Sequence, residues 1–398
     1  MARRGGDFGV MVGGPITVDM KRVKARKDEI VGRSNTGVTG WMKNTEGLTV
    51  IEGHGRFTAP RTVSVNGREL EAPNIFINVG ARAFVPDIPG LAEVDYLTNS
   101  SIMELEEIPE HLVILGGSYI GLEFAQMYRR FGAEVTVVEM MERLIGRDDP
   151  DVGEAVREVM ENEGIGIRLN ASCISVRKDG DGVAVGLKCE DGPPEVRGSH
   201  LLVAVGRRPN TDDLGLERAG IETDPRGYIT VDDQCRTNVD GIWALGDVNG
   251  RGAFTHTSYN DFEIVAANLL DNDPRRISDR IPCYALFIDP PLGRIGMTEQ
   301  EVRNSGRKAL IGKMAMERVA RARERGETQG FMKVLVDAET KELLGAAILG
   351  IGGDEIVHSL LDVMYAGAPY TTIQRAVHIH PTVTELIPTL LGSLKPLE

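Results

Sequence analysis

Residues 112–121, with the sequence LVILGGSYIG, decide the fold of this chain. Leu112–Leu115 is an apolar run that predicts a strand, and the glycine-rich turn after it leads into a helix predicted over Leu122–Phe131. A second strand is predicted over Val135–Val138. Strand, glycine turn, helix and strand in this order form a βαβ unit.

The glycines of this turn stand at the spacing of the dinucleotide fingerprint G-x-G-x-x-G, which allows a tight turn and close approach of a pyrophosphate. Its three positions are Gly116, Ser118 and Gly121, so a serine hydroxyl replaces the middle glycine. Glu139 ends the second strand, 23 residues after Gly116. A carboxylate there accepts hydrogen bonds from ribose hydroxyls, which favours NAD. Arg143 could accommodate a 2′-phosphate, so NADP stays possible, and a solvated strand-end acid is the alternative for Glu139.

Size and composition describe a globular chain of two or three domains. The 398 residues are 41% hydrophobic and 26% charged, which argues against disorder. A net charge of -14 argues against a nucleic-acid partner, which needs a basic surface. No apolar run reaches the about 20 residues of a membrane helix. The first ten residues lack the apolar part of a signal peptide. We therefore expect a cytoplasmic protein with no membrane partner.

The four cysteines predict neither a disulfide scaffold nor a metal site. Cys173, Cys189, Cys235 and Cys283 stand no closer than 16 residues apart, whereas zinc sites and disulfide frameworks use closely spaced cysteines. Buried free thiols are the expected state.

Further elements are predicted from apolar periodicity and from glycine and proline positions. Predicted helices cover residues 17–46, 152–163, 259–270 and 354–366. Predicted strands cover residues 48–51, 62–65, 74–79, 172–176, 183–187, 201–205, 242–247, 330–337 and 344–349. The last strands and helix follow a polar linker over 272–282 and predict an α+β domain.

Two later segments resemble those of the pyridine nucleotide–disulfide oxidoreductases, the family of dihydrolipoyl dehydrogenase, glutathione reductase and mercuric reductase. They are GRRPNT at 206–211 and TNVDGIWALGD at 237–247. The resemblance runs from about Gly80 to the C-terminus. It implies an α/β fold with two Rossmann-like dinucleotide-binding domains, the FAD one incomplete, and a C-terminal α+β dimerisation domain. The implied segments are a remnant of the FAD-binding domain (1–110), an NAD(P)-binding domain (111–236), a central FAD-contacting segment (237–282) and the dimerisation domain (283–398).

The resemblance, carried over residue by residue, implies an FAD site. Asp247 matches the acid that holds the flavin ribityl chain, and an acid capping the next turn is the alternative. Thr255 and His256 match the segment where a helix N-terminus faces the flavin pyrimidine ring. For His256 itself, packing or capping is favoured over proton donation. Gly80 and Gly206 are further candidate cofactor contacts.

Three more residues match catalytic or flavin-side positions of the family. Glu123 matches a glutamate beside the isoalloxazine, which in the family pairs with a lysine just after the redox cysteines. The tail HIHPTVTE at 378–385 resembles H-x-H-P-T-x-x-E. His380 then matches the acid/base for a thiol and Glu385 the residue that orients it. The family presents this pair to the flavin of the other subunit, which implies a homodimer. Thr382 and Glu385 also match a capping box, and both interpretations can hold.

Segments at 287–292 and 296–299 resemble the mercuric-reductase-like branch, which includes reactive-chlorine-resistance flavoproteins. The tail lacks the cysteine pair of mercuric reductase, so we do not expect mercury reduction. The family opens with G-x-G-x-x-G and C-x-x-x-x-C, and neither occurs before Gly80. We expect a start codon placed too late, with a shortened gene as the alternative, and weak FAD binding by the chain as printed.

The resemblance implies an FAD-dependent oxidoreductase that moves a hydride from NAD(P)H to FAD and then to a disulfide or another small-molecule acceptor. Two alternatives stay open for this chain. One is a non-catalytic, dimeric NAD-binding module, and the other is a diaphorase-like flavin reductase without disulfide chemistry. No motif names the final electron acceptor.

Overall fold

The computed structural model describes residues 2–188 and 192–398. The chain divides into two compact units, each built from two separate stretches of sequence. The first unit comprises Met1–Val50 and Val85–Val205, and the second comprises Ile51–Phe84 and Gly206–Glu398.

The elements of the described residues are numbered in chain order. The helices are α1 (Met20–Asn44), α2 (Tyr119–Phe131), α3 (Pro150–Asn162), α4 (Leu216–Ala219), α5 (Thr255–Ala266), α6 (Glu299–Asn304), α7 (Ala320–Glu324), α8 (Gly353–Ile356), α9 (His358–Tyr365), α10 (Thr371–Gln374) and α11 (Ile387–Leu391). The strands are β1 (Gly55–Ala59), β2 (Thr62–Val65), β3 (Arg68–Glu71), β4 (Ile75–Ile77), β5 (Ala81–Ala83), β6 (His111–Leu115), β7 (Glu134–Val138), β8 (Gly166–Arg168), β9 (Ser172–Asp179), β10 (Gly182–Lys188), β11 (Glu195–Gly198), β12 (His200–Val203), β13 (Arg207–Pro209), β14 (Ile242–Ala244), β15 (Cys283–Leu286), β16 (Leu292–Gly296), β17 (Ala309–Ala315), β18 (Phe331–Asp337), β19 (Leu343–Leu349) and β20 (Lys395–Pro396).

A parallel sheet organises the first unit. Its order is β12-β6-β7-β8, and each neighbouring pair is parallel. Leu112–Leu115 of β6 is fully buried, as expected for a central strand that is covered on both faces. The antiparallel sheet β11-β10-β9 adds Val176 and Val185 to the hydrophobic cluster that contains Val113 and Leu115. The βαβ unit predicted from residues 112–138 is therefore present.

The second unit combines several smaller sheets with one large antiparallel sheet. Strands β14 and β4 pair in parallel, and β1-β2-β3 and β13-β5 are antiparallel. The six-stranded sheet β15-β16-β19-β18-β17-β20 forms the C-terminal part. Its core gathers the side chains of Met332, Val334, Leu360 and Ile387, all fully buried. The α+β arrangement predicted for the C-terminal region is confirmed.

The predicted elements differ from the observed ones most clearly at residues 48–51, 242–247, 259–270 and 354–366. The helix predicted over 354–366 is divided at Val357 into α8 and α9. Residues 48–51 were predicted as a strand, but they pair with no other strand, and Leu48 is 44% exposed. The strand predicted over 242–247 ends at Ala244, because Gly246 has a φ of +71°, which breaks an extended chain. The helix predicted over 259–270 begins earlier, at Thr255, and ends at Ala266 as an α-helix. A short π-helix, Ala267–Asp271, continues it.

Two of the four cysteines can be assigned a state. Cys235 is buried and free, and burial raises the pKa of its thiol to about 12. Cys283 is half-buried and free, and burial raises its pKa as well. Cys189 lies outside the described residues, and the side chain of Cys173 is not described. Within the part of the chain that the structure describes, no helix is long and apolar enough to span a membrane.

Two histidines lie at the start of neighbouring parallel strands in the first unit. His111 opens β6 and His200 opens β12. Burial lowers the pKa of both rings, against the opposing effect of Glu134 and Glu110 on His111 and of Glu107 on His200. The folded protein therefore resists the protonation of both histidines more than the unfolded chain does.

This difference predicts acid-sensitive stability. An unfolded histidine titrates near pH 6.5, and the folded protein binds the proton only at a lower pH. The free energy of unfolding is therefore at its full value above pH 6.5, and it decreases as the pH falls below 6.5 because protonation favours the unfolded chain. We expect the free energy of unfolding to fall between pH 7.5 and 5.5, and to fall less in a His111→Gln/His200→Gln double variant. Urea unfolding of both proteins at the two pH values measures this. Equal losses in both proteins would contradict the assignment.

Candidate dinucleotide and flavin sites

The segment that joins β6 to the first turn of α2 is closely packed at three glycines, and at Gly116 and Gly121 the neighbouring atom is a backbone oxygen. A Cβ on Gly121 would lie 2.0 Å from the carbonyl oxygen of Gly116. Gly116 has a φ of +111°, and a Cβ there would lie 2.4 Å from the oxygen of Ala204. A Cβ on Gly117 would lie 2.6 Å from the side chain of Leu144. The turn is therefore a tight cradle, as a pyrophosphate site requires.

Ser118 replaces the middle glycine of the fingerprint without strain. It is the N-cap of α2, with a φ of -112°, and its side chain makes no capping hydrogen bond. The first N–H groups of a helix have no partner inside the helix, so the start of α2 suits a phosphate. The residues of this turn fit a dinucleotide pyrophosphate.

Glu139 folds back onto the glycine turn. One carboxylate oxygen accepts a hydrogen bond from the Gly117 N–H at 2.6 Å, and the other accepts one from the Met141 N–H at 2.8 Å. A carboxylate oxygen can accept more than one hydrogen bond, so both oxygens can still receive ribose hydroxyls. The backbone thus fixes the acid in place beside the turn.

Arg143 and Glu123 are the other candidates in the first unit. The guanidinium of Arg143 lies 3.4 Å from Glu142 and donates to the Gly146 carbonyl at 3.2 Å. Its partners therefore lie in its own loop. Glu123 is half-buried on the first turns of α2.

The Glu139 contacts predict a moderate loss of NADH binding on Glu139→Gln. The glutamine keeps the size, but its NH2 group must face one of two backbone N–H groups. We expect about tenfold weaker NADH binding, since a hydrogen bond to a charged group contributes about 1.5–3 kcal/mol. The ratio of NADH affinity to NADPH affinity should also decrease. Titration of both nucleotides checks this, with Glu106→Gln as the exposed control, and an unchanged NADH affinity would contradict it.

Asp247 lies in the second unit, just beyond the end of β14. Its carboxylate is 21% exposed and lies 3.3 Å from the guanidinium of Arg207. The same Arg207 nitrogen donates to the Ala81 carbonyl at 2.5 Å. A Cβ on Gly246 would lie 2.6 Å from the Ser258 hydroxyl. The turn that carries Asp247 is thus closely packed, and the partly exposed carboxylate there can accept hydrogen bonds from hydroxyl groups.

Helix α5 starts beside the same turn, at Thr255, with Phe254 as its N-cap. The ring of His256 stacks on Phe254 with centroids 5.3 Å apart, and its Nε2 donates to the Cys283 carbonyl at 2.8 Å. These contacts agree with a packing role for His256. The helix N-terminus and the neighbouring carboxylate of Asp247 together form a donor and acceptor set that fits a flavin.

Gly80 and Gly206 are the remaining candidates of the second unit. Both have positive φ angles, +68° and +138°, and nothing lies within 4 Å of where a Cβ would stand. The Gly80 carbonyl accepts from the Asn210 N–H, and the Gly206 carbonyl accepts from the Phe84 N–H. The space beside the Cα atom of each glycine is therefore open, and no atom of the described residues packs against it.

His380 and Glu385 form a direct pair near the C-terminus. The Nδ1 of His380 donates to the Glu385 carboxylate at 2.9 Å, which leaves Nε2 as the acceptor of the neutral ring. The imidazole is 75% exposed and the carboxylate 15% exposed. The Glu385 N–H donates to the Thr382 hydroxyl at 3.3 Å. Of the two hydrogen bonds of the predicted capping box, the one from the Glu385 N–H to the Thr382 hydroxyl therefore forms. The Glu385 side chain is bound to His380 instead of to the Thr382 N–H.

The sequence analysis missed three residues that bear on these sites. Gly117 supplies the N–H that binds Glu139, and the double glycine of the fingerprint could have indicated it. Arg207 contacts Asp247, and its place in the GRRPN segment was the available signal. Asp261 bonds to the turn that carries Asp247, and no sequence signal pointed to it.

Comparisons with known proteins place this geometry in context. Residues 9–261 match the family described as "Pyridine nucleotide-disulphide oxidoreductase", and residues 283–391 match its dimerisation domain. The chain belongs to the pyridine nucleotide-disulphide oxidoreductase family. This confirms the resemblance inferred from the motifs and the mixed α/β fold with a C-terminal dimerisation domain.

Relatives within this family share most of the chain. A probable pyridine nucleotide-disulfide oxidoreductase RclA from Escherichia coli (strain K12) is 34% identical, over 95% of this chain and 86% of the relative. A mercuric reductase from Streptomyces lividans is 32% identical, over 93% and 79%. The solved structure of the HOCl-induced flavoprotein disulfide reductase RclA from Escherichia coli superposes with a TM-score of 0.88 at 34% identity, covering 94% of this chain and 86% of that one.

Family membership carries some functional consequences. The family consists of oxidoreductases that bind FAD and NAD(P). Its dimerisation domain implies a homodimer. The dinucleotide turn with Glu139 lies within the first match of the family, as does Asp247, whereas His380 and Glu385 lie within the match to the dimerisation domain.

Proposed function

We propose that this protein is a dimeric, FAD-dependent oxidoreductase that oxidises NADH and passes the electrons to a small-molecule acceptor. The observation that carries the proposal is the glycine turn between β6 and α2, whose N–H group at Gly117 binds the carboxylate of Glu139. That arrangement offers one pyrophosphate cradle and one ribose acceptor at the spacing that a dinucleotide needs. NAD is favoured, and NADP stays the alternative.

The residues of the chain supply binding and orientation, and FAD when bound supplies the acceptor for a hydride. In the first unit, the start of α2 would hold the pyrophosphate, while Glu139 would accept the ribose hydroxyls. In the second unit, Asp247 would accept a ribityl hydroxyl, and the positive end of α5 at Thr255 would stabilise negative charge on a reduced flavin. We propose Gly80, Gly206, Glu123 and His256 as further cofactor contacts.

His380 and Glu385 are proposed as the acid/base pair for an acceptor. The Glu385 carboxylate orients the ring and stabilises its protonated form, so Nε2 of His380 can take or give a proton at its exposed edge. The family resemblance implies that this pair serves a thiol beside the flavin of the other subunit. The domain boundaries and the cytoplasmic location also stay predictions.

The diaphorase-like alternative is favoured by the cysteines of the chain as printed. None of the four is part of a C-x-x-x-x-C segment. A relay disulfide needs a thiolate near neutral pH, whereas burial raises the pKa values of Cys235 and Cys283. We therefore expect this chain to reduce a dye faster than a disulfide.

One assay separates the proposals. The purified chain with added FAD and NADH is given either a redox dye or a small disulfide, and NADH loss is followed by absorbance. Dye reduction without disulfide reduction supports the flavin reductase, and reduction of both supports disulfide chemistry. NADH binding without either reaction would leave the non-catalytic module. His380→Ala should impair reduction of the disulfide and leave dye reduction unchanged if His380 acts on a thiol.

A further inference from the structure

A buried ion pair lies beneath the turn that carries Asp247. Asp261 on α5 is 1% exposed, and Arg280 on the following linker has a side chain that is 10% exposed. The guanidinium of Arg280 donates to one carboxylate oxygen of Asp261. A charged pair in such a place costs desolvation unless further hydrogen bonds complete it.

The second oxygen of Asp261 completes the pair by binding the turn. It accepts the backbone N–H of Gly246 at 2.9 Å and the side-chain NH2 of Asn249 at 2.9 Å. Asn249, itself buried, also donates to the Ala244 carbonyl at 3.0 Å. Both ends of the turn that includes Asp247 are therefore tied to a single carboxylate.

Arg280 fixes that carboxylate from the other side. Its Nε donates to the Asn260 side-chain oxygen at 2.8 Å, so the guanidinium hydrogen-bonds to two consecutive residues of α5. Three residues later the Cys283 carbonyl receives the hydrogen bond of His256, near the start of the same helix. The polar linker predicted over 272–282 is thus hydrogen-bonded to α5 through Arg280.

We propose that Asp261 and Arg280 are positioning residues of the flavin site: the ion pair holds the Gly246–Asn249 turn so that Asp247 presents its carboxylate to the cofactor. The inference rests on the proposed function, because Asp247 is taken there as the ribityl acceptor. Neither residue touches the cofactor in this role. Both act through the hydrogen bond from the Gly246 N–H and through Asn249.

The test compares Asp261→Asn and Arg280→Met with the exposed controls Asp271→Asn and Arg276→Met, all in the full chain. FAD affinity is measured by equilibrium titration, and hydrogen exchange is measured for the amides of residues 245–250. Each buried variant should bind FAD at least tenfold more weakly than the wild type and exchange the Gly246 amide faster. Both controls should stay within twofold.

The double variant Asp261→Asn/Arg280→Met distinguishes positioning from a general loss of stability. It removes both charges, so it relieves the unpaired buried charge that each single variant leaves and should regain most of the lost stability. The ion pair is still absent, so FAD affinity should stay at least fivefold below that of the wild type if the pair positions the turn. Arg280→Lys keeps the charge but cannot bond to Asn260 and Asp261 at the same time as the guanidinium does. It should give an intermediate FAD affinity, and it serves as the test if Arg280→Met fails to fold.

The outcomes separate this inference from the proposed function. If the wild type binds FAD and the buried variants match their controls, the inference is wrong while the function stands. Faster exchange of the Gly246 amide with unchanged FAD affinity also overturns it. If the wild type takes up no FAD at any concentration tested, the proposed function fails and the inference fails with it.

Discussion

Replacing Gly121 with alanine is expected to abolish NADH binding and to destabilise the first unit. The added Cβ would stand 2.0 Å from the Gly116 carbonyl oxygen and 3.4 Å from the Ile114 side chain. The oxygen belongs to the backbone of the turn, so it can yield only if α2 moves away from β6. Overpacking of this kind costs about 1–3 kcal/mol or more. The turn would also lose the geometry that brings the N–H groups of α2 to the phosphates.

The measurement is NADH titration together with urea unfolding of the variant. Gly146→Ala is the matched control, because nothing lies within 4 Å of its added Cβ. We expect the control to keep wild-type affinity, whereas Gly121→Ala should bind NADH more than a hundredfold more weakly. Normal NADH binding by a folded Gly121→Ala protein would show that the dinucleotide does not use this turn.

Replacing Asp247 with asparagine is expected to weaken FAD binding by about 10- to 100-fold. The asparagine keeps the shape but loses the charge that lies 3.3 Å from Arg207. A hydrogen bond to a charged group contributes about 1.5–3 kcal/mol, and the ribityl hydroxyl would lose its charged acceptor. The Arg207 guanidinium, which also donates to the Ala81 carbonyl, would keep a neutral partner in place of an ion pair.

Flavin fluorescence during titration with FAD measures this effect. Asp240→Asn provides the control, since the Asp240 side chain is fully exposed in the same unit. NADH binding should be unchanged in both variants because the dinucleotide turn belongs to the first unit. An Asp247→Asn protein with wild-type FAD affinity would remove Asp247 from the flavin site.

Local patterns predicted the elements that carry the candidate sites well. The buried run Leu112–Leu115, the glycines after it and the acid at the end of β7 were enough to predict the βαβ unit, because each depends on neighbours in sequence. The family resemblance of the segment at 378–385 also implied the pairing of His380 with Glu385, which the structure shows. The expected strand over 48–51 failed because a strand exists only with a partner, which an isolated apolar run does not reveal.

The sequence by itself determined the family, the α/β fold and most of the candidate site residues, since short motifs encode turns and strand ends directly. Only the tertiary structure decided which groups meet across long sequence distances. The contact of Arg207 with Asp247 depends on β13 lying near the turn after β14. The contact of Arg280 with Asp261 depends on the packing of the linker against α5. Gly117 became the partner of Glu139 only when β7 lay beside β6. Hydrogen bonds between distant residues follow from how the strands and helices pack, and no local pattern records that packing.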